Sequence, residues 1–280
     1  MATPPPAHGD SRLDRFLFAP ADPRAVAAMR ILLAAMIAWA FCSLGLRPAW
    51  PVTSIPGIAT WYESVFLTPW YAAIVTLAAA AFGVGLRPRV TGIVLLVLLL
   101  PLASFNRGQQ SRLVLLLALL AFSMLRSDAR WSIRTWLGRA TPEVSAGPMW
   151  PIRLIQIELS LVYAVNALVK ATPQYLGGDV LIGMSRMRPN FLMDFSDGLV
   201  HVGPIAFPVA LAAIASVVVE SYLAIGFWFP RLRWLTAVIG VIFHMGLQQI
   251  VRIFMLDYVS MFLYLAFLLP WHRGASTRSL

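Results

Sequence analysis

Long apolar segments follow one another along nearly the whole chain, and they limit its fold more than any other feature. Eight of them, separated by shorter polar gaps, lie at residues 25–46, 70–86, 90–103, 113–125, 151–170, 204–229, 234–250 and 253–269. Of the 280 residues, 59% are hydrophobic and only 12% are charged, whereas a soluble domain carries about 25% charged residues. We therefore predict an all-α, polytopic transmembrane helical bundle of about eight spans, whose partner is the lipid bilayer.

The basic residues predict how the bundle is oriented. With the N-terminus inside, fourteen basic residues fall in inner segments and seven in outer ones. The positive-inside rule then places both termini in the cytoplasm, as in a bacterial inner-membrane protein. The net charge of +10 is thus explained by membrane flanks, and no nucleic-acid partner is expected. Residues 1–24 and 271–280 are predicted to be cytoplasmic tails, the first disordered, around a single membrane domain at 25–270.

Several connections and one span have a distinct predicted structure. Residues 47–70 are rich in proline, tryptophan and tyrosine, which favours an interfacial segment. Residues 126–147 alternate arginine with apolar side chains, which predicts a helix on the membrane surface. The span at 90–103 is expected to break near Pro101. Cys42 is the only cysteine, so neither a disulfide nor a cysteine-based metal site is expected.

The apolar run at 151–170 carries a polar stripe. Its members are spaced by three or four residues and so share one helix face: Gln156, Ser160, Tyr163, Asn166 and Lys170. Lys170 is the only lysine of the chain. It can extend to the headgroups from the end of the helix. Alternatively, a desolvated amine can act as a general base, which an arginine cannot do. The stripe and the absence of other lysines make the two interpretations equally good.

Other polar residues within the spans are further candidates for a site, because charge inside a bilayer is costly. They are Arg30, Glu158, Glu220, Asp257, His244 and Gln248. A buried structural pair of Arg30 with Glu158 is favoured over catalysis. Glu220 and Asp257 are either proton-relay members or helix-packing partners. His244 is more simply a packed histidine than a ligand or relay next to Gln248, since no second histidine or cysteine accompanies it.

Three stretches resemble the membrane domain of vitamin K-dependent γ-glutamyl carboxylases and the related horizontally transferred transmembrane (HTTM) domain proteins. They are AVAAMRILLAAMIAW at 25–39, IRLIQIELSLVYAVNALVK at 152–170 and FHMGLQQIVRIFMLDYVSMF at 243–262. The arginine in the first span, the asparagine before span four and Trp131-Ser132 after it occur in the same order as in the family. With the acidic residue in span six, the resemblance extends over about residues 25–269.

The resemblance implies a chemistry. In these carboxylases, a lysine at this helix end deprotonates a reduced naphthoquinone (reduced vitamin K), and O2 converts the anion into a strong base. That base takes a proton from glutamate, to which CO2 adds. Lys170 matches the lysine, and Asn106 lies in the segment that resembles the family's Asn-Asn-His motif. That segment has no histidine here, and the carboxylase region that holds a peptide substrate has no counterpart after span eight.

The leading hypothesis is a membrane protein that binds a menaquinol-like quinol in a cavity open to the periplasmic face. Lys170 is its predicted base, and it oxidises or epoxidises the quinol with O2, with CO2 as a further co-substrate if lyase-type carboxylation occurs. Ligand-binding residues are predicted at Asn106, Tyr163, Asn166, His244 and Gln248. The first alternative is a non-enzymatic maturation or export partner that recognises a protein or peptide at the outer face through residues 171–203. The second is a small-solute or proton transporter using Glu158, Glu220 and Asp257.

Overall fold

The computed structural model describes residues 11–43, 68–104, 110–139, 141, 143–187, 192–202, 204–250 and 256–269, and these are mostly helical. Three helices are long and apolar enough to cross a bilayer, Pro23–Cys42, Trp150–Lys170 and Val209–Gly226. Shorter apolar helices are Pro69–Gly83, Pro88–Pro101, Leu113–Met124 and Tyr258–Leu268. Their length and composition are those of an integral membrane protein. The number of eight spans and the cytoplasmic placement of both termini stay predictions.

The secondary-structure elements follow one another with short connections. The helices up to the long central one are α1 (Arg12–Phe18), α2 (Pro23–Ser43), α3 (Pro69–Gly83), α4 (Pro88–Ser104), α5 (Gln110–Met124), α6 (Ile133–Trp136) and α7 (Trp150–Lys170). After it come α8 (Pro173–Leu176), α9 (Asp179–Met187), β1 (Leu199–Val202), β2 (Ile205–Pro208), α10 (Val209–Gly226), α11 (Arg233–Ile250), α12 (Leu256–Leu263) and α13 (Leu265–Leu268).

The chain divides into two compact units. The first comprises Met1–Gly108, Leu115–Ile155 and Leu269–Leu280, and the second comprises Gln109–Val114 and Gln156–Leu268. A single domain was predicted for residues 25–270, and these residues are shared between both units. The long helix α7 contributes its first turns to the first unit and its polar stripe to the second.

In the first unit, α2 packs closely against α3. Val26, Met29, Leu33 and Ile37 are fully buried, and their spacing of three or four residues places them on one face of α2. On the facing helix, a Cβ added to Gly83 would lie only 2.9 Å from the Cβ of Ala34. The absence of a side chain at this glycine therefore allows the two helix backbones to approach each other.

In the second unit, a two-stranded hairpin precedes α10. β1 and β2 pair antiparallel, with Val200 opposite Phe207. A small core of Phe195, Val200 and Val209 lies beneath them. The predicted all-α class is therefore correct for most of the described chain but omits this hairpin. The span predicted at 204–229 begins as a strand, and its helix starts at Val209 and ends at Gly226.

Three further expectations differ from the structure. Residues 126–147 form turns with a single helical turn, α6, in place of a long surface helix. The Ser132 side chain caps α6 at its start, and Gly138, with φ of 67°, follows its end. Pro101 lies inside α4 and does not break it. So close to the helix end, the missing N–H of a proline removes a single hydrogen bond of the last turns.

The N-terminal segment is more ordered than predicted. Within the tail expected at 1–24, α1 is capped by Ser11, whose side chain accepts a hydrogen bond from the Asp14 backbone at 3.0 Å. Ala21 and Asp22 are buried. Residues 1–10, the interfacial segment expected at 47–67 and the tail at 271–280 lie outside the described residues.

Candidate functional site

The polar stripe of α7 is largely withdrawn from the surface. Gln156 and Tyr163 are 1% and 3% exposed, while Ser160, Asn166 and Lys170 are half-buried. The residues between them, such as Leu161 and Leu168, are exposed. The helical period thus places polar groups towards the second unit and apolar groups outward, as the spacing predicted.

Lys170 forms an ion pair with Glu220 of α10. The Lys170 Nζ lies 2.7 Å from Glu220 Oε1, and the side chains are 28% and 4% exposed. The Tyr175 ring lies on another side of the amine, its centroid 5.8 Å from Nζ. The second carboxylate oxygen, Glu220 Oε2, is buried and has no hydrogen-bond partner among the described residues. Lys170 is therefore held by an acid that keeps one acceptor position open.

A second polar group lies further along the same stripe. The Tyr163 hydroxyl lies 2.7 Å from His244 Nε2 and 2.6 Å from the Tyr264 hydroxyl, and Ser260 is a further hydrogen-bonding neighbour. Tyr264 also packs its ring on Phe227, with 4.7 Å between centroids. This cluster joins four segments of the second unit through buried hydroxyl and imidazole groups, which the low dielectric of the interior strengthens.

The other stripe members bind neighbouring helices. Gln156 donates from Nε2 to the Ala266 carbonyl at 2.5 Å, and Trp228 donates from its indole nitrogen to the Ser160 hydroxyl at 2.9 Å. Asn166 has no hydrogen bond to any described residue. It lies one turn before Lys170 with its amide available to a ligand.

Gln248 is the other predicted ligand-binding residue with a free group. Its Oε1 accepts a hydrogen bond from the Tyr258 hydroxyl at 3.2 Å. Its Nε2 is buried without a partner among the described residues. A buried amide nitrogen of this kind costs stability unless something accepts its hydrogen bond.

Arg30 belongs to the first unit and is fully buried. Its guanidinium donates to the carbonyls of Gly83, at 3.2 Å, and of Ser127 and Trp131. Five N–H groups in a planar fork suit such a bridge between three backbone segments. The pair predicted between Arg30 and Glu158 would join the two units, and it stays a prediction. Asn106 and Gln109, and the side chains of Gln110 and Asp257, lie outside the described residues.

One residue of the outer connection titrates outside the helices. Asp197 Oδ2 and His201 Nε2 are 2.7 Å apart on the surface. This hydrogen bond with His201, together with one from the Leu199 backbone, lowers the pKa of Asp197 below its ordinary value. Among the described residues, no group of three or more histidine, cysteine, aspartate or glutamate side chains is placed to hold a metal ion.

Comparison with known families accounts for the arrangement of the chain. A family model for the HTTM domain matches residues 18–271. The chain belongs to the HTTM domain family. No curated protein and no solved structure matches it. The HTTM domain thus includes α2, both units and the whole polar stripe, whereas the carboxylase part of the resemblance stays an expectation.

Within this HTTM domain, the sequence did not indicate three of the contacts that organise the stripe. Glu220 was a candidate relay or packing residue without an assigned partner, and it is the acid that binds Lys170. Tyr264 and Trp228 were not singled out. Both are amphipathic aromatic residues within or beside predicted spans, and such side chains need a hydrogen-bond partner when buried. That rule indicates that they bind something, but it does not name the partner.

Proposed function

We propose that this HTTM-domain protein binds a menaquinol-like quinol from the bilayer and accepts a proton from it at the Lys170–Glu220 pair. The observation that carries the proposal is the geometry of Glu220. One of its oxygens holds the only lysine at 2.7 Å, and the other is buried and available as an acceptor. A base formed by two groups, with one free buried oxygen, fits an apolar molecule that has an acidic hydroxyl.

The residues present fit such a ligand in three respects. Glu220 Oε2 accepts a hydrogen bond from one ring hydroxyl, whereas Gln248 Nε2 and the Asn166 amide donate to ring oxygens. The apolar side chains around the stripe suit a prenyl tail. A small number of polar groups in an apolar surrounding is typical of sites for such molecules.

The proton balance is simple. The pair shares one proton before the transfer, either as ammonium with carboxylate or as amine with carboxylic acid. After accepting a second proton it is an ammonium beside a carboxylic acid, with a net charge of +1. That charge offsets the negative charge left on the ligand, which at short range in a medium of low dielectric is worth several kcal/mol. Lys170 is therefore base and electrostatic partner together.

The cluster around Tyr163 has a supporting role in the proposal. His244 and Tyr264 fix the Tyr163 hydroxyl between them, and Tyr163 and Lys170 lie seven residues, or two turns, apart on α7. The cluster orients the stripe and keeps water from it. A bound quinol, once deprotonated, would supply the reaction with O2 that the resemblance implies, with CO2 addition as a later step.

The test uses purified protein in nanodiscs, with chemically reduced menaquinone-4 as the probe. Binding is measured by the change in thermal unfolding temperature, and turnover by mass spectrometry of quinone and epoxide under O2. We expect K170A and E220Q to reduce turnover by about 10²-fold or more. We expect K170R to retain the ion pair and the unfolding temperature but to lose turnover, because arginine cannot release its proton.

The matched control is E158Q, which removes a carboxylate from the same helix. Glu158 is half-buried and has no ion pair or hydrogen bond among the described residues, so its loss should leave turnover unchanged. Full turnover in K170A would exclude Lys170 from the mechanism. No binding of the reduced menaquinone by the wild-type protein would remove the proposal altogether.

A second candidate function is recognition of a protein or peptide at residues 171–203. What favours it is that this connection is folded, with α9, the β1–β2 hairpin and the Phe195 core. Val202 and Ile205 expose 54% and 64% of their surface at the end of the hairpin. If this platform binds a partner, V202D with I205D should abolish co-purification of that partner and leave quinol turnover intact. Co-purification that is unaffected by the double change would dismiss the platform.

A further inference from the structure

An open groove of about 810 Å³ lies within the first unit, away from the stripe of α7. Its floor is made by small side chains of α2 and α3, Ala35, Ala38 and Ala80, and its rim by Arg130, Trp131 and Trp136. We call it the alanine groove. Trp131 and Trp136 are 56% and 83% exposed. Tryptophan prefers the boundary between headgroups and hydrocarbon, so the rim has the composition of a membrane interface.

Arg130 is the charged group of this groove. Its Nε is buried without a hydrogen-bond partner among the described residues. The acids near it in the chain are already engaged, since Glu143 pairs with Arg126 and Asp128 lies 3.8 Å from Arg134. A guanidinium held against an apolar wall without an anion is costly. The groove therefore carries an uncompensated positive charge beside a long apolar surface.

We propose that the alanine groove binds one anionic phospholipid, with its phosphate at Arg130 and an acyl chain along the alanines. The guanidinium suits a phosphate because its planar N–H groups can donate in pairs to two oxygens. Small side chains leave room for an extended chain, as the volume requires. The exposed arginines nearby, Arg87, Arg89 and Arg139, raise the local potential and favour a lipid with net negative charge over a zwitterionic one.

The experiment measures retained lipid by native mass spectrometry of protein in detergent containing equal amounts of phosphatidylglycerol and phosphatidylcholine. We expect one phosphatidylglycerol per wild-type chain. R130Q should retain it about tenfold less, the decrease expected when one charge-assisted hydrogen bond is removed. R139Q removes the same charge from an exposed position outside the groove and should retain lipid as the wild type does. Equal losses in R130Q and R139Q would reduce the effect to general electrostatics and overturn the proposal.

A second pair of variants tests the apolar floor without changing charge. Ala35 is exposed in the groove, so the ring of A35F occupies the space of the acyl chain and should also reduce retention about tenfold, because part of that chain then stays outside the groove. A215F places the same ring on an exposed position of α10 and should have no effect. Competition by inorganic phosphate or glycerol phosphate at millimolar concentration would show that the site takes a free anion, and equal retention of phosphatidylcholine would show that it does not select charge. Either result would overturn the proposal, as would retention by A35F.

Discussion

Arg30 shows how much one side chain contributes to this fold. It comes from α2 and binds carbonyls of three other positions, Gly83, Ser127 and Trp131. Trp131 has a left-handed backbone with φ of 48°, a conformation that costs about 1–2 kcal/mol in a residue with a Cβ. The hydrogen bond from Arg30 to its carbonyl helps to hold that turn. The arginine therefore acts as a cross-link between the end of α3 and the segment before α6.

Replacing Arg30 should unfold the first unit more easily. R30M leaves three buried carbonyls without their donor, and we expect a loss of about 3–5 kcal/mol of unfolding free energy. R30K keeps the charge but cannot reach three acceptors in a plane, so it should rescue only part of the loss. The measurement is thermal unfolding in detergent. R24M, at an exposed position of the same helix, is the control, and a similar loss in R24M would contradict this role.

Gly85 provides a second prediction for a single residue. Its φ is 73°, and an added Cβ would lie 2.6 Å from the Ser132 Cβ and 3.0 Å from Arg30 Nη1. G85A should therefore combine backbone strain with a clash and cost more than about 2 kcal/mol. Gly138 has a similar φ of 67°, but its Cβ would meet nothing within 4 Å, so G138A should show only the backbone cost of about 1 kcal/mol. Equal unfolding temperatures for the two variants would refute the steric part.

Among the elements, α11 and the segment around Tyr264 are the most tightly fitted. A Cβ on Gly240 would lie 2.5 Å from the Tyr264 hydroxyl and 2.7 Å from its ring carbons. Tyr264 is 1% exposed, and it binds Tyr163. The helix can approach the ring closely because a glycine faces it, and this approach places His244 of α11 next to the Tyr163 hydroxyl.

A pair of glycine variants in α11 tests this fit. G240A should displace Tyr264, break its bond with Tyr163 and lower the unfolding free energy by about 1–3 kcal/mol. G246A lies on the exposed face, where a Cβ meets nothing within 4 Å. It should be neutral or gain up to about 1 kcal/mol from helix propensity. Thermal unfolding distinguishes the two, and a gain of stability in G240A would show that Tyr264 is not confined by this helix.

The element scale also shows where sequence patterns were sufficient. The three-to-four spacing predicted the buried stripe of α7 because a helix face depends on residues close in sequence. The long helix expected at 126–147 failed for a comparable reason. Alternating arginine and apolar residues indicated amphipathic structure, but left-handed backbone at Trp131 and Gly138 limits the helix to one turn. Backbone conformation at single positions is not visible in a hydropathy pattern.

On the scale of the whole molecule, both units present large apolar side chains outward. Trp70, Leu77, Leu168 and Ile242 expose between 65% and 81% of their surface. A soluble protein rarely exposes so much apolar surface on its helices. Lipid is the environment that makes such exposure favourable, in agreement with the long apolar helices.

Membrane topology can be tested with the single cysteine removed. In a C42S background, T141C and Q174C introduce thiols at exposed positions on the two sides of α7. Because a spanning helix has its ends on opposite faces, we expect an impermeant maleimide added to intact bacterial cells to label Q174C but not T141C. Labelling of T141C alone would invert the predicted orientation, and labelling of both would show that α7 does not cross the membrane.

The amino-acid sequence by itself determined the membrane class, the HTTM family and the polar face of α7 with its only lysine. Hydropathy and helical periodicity are local properties, and a chain expresses them whatever its partners. Only the tertiary structure decided which groups meet. Lys170 and its acid are 50 residues apart, and Arg30 and its farthest carbonyl 101. Such contacts depend on how helices pack, and packing is decided by the shapes of many side chains together, down to single glycines such as Gly83 and Gly240.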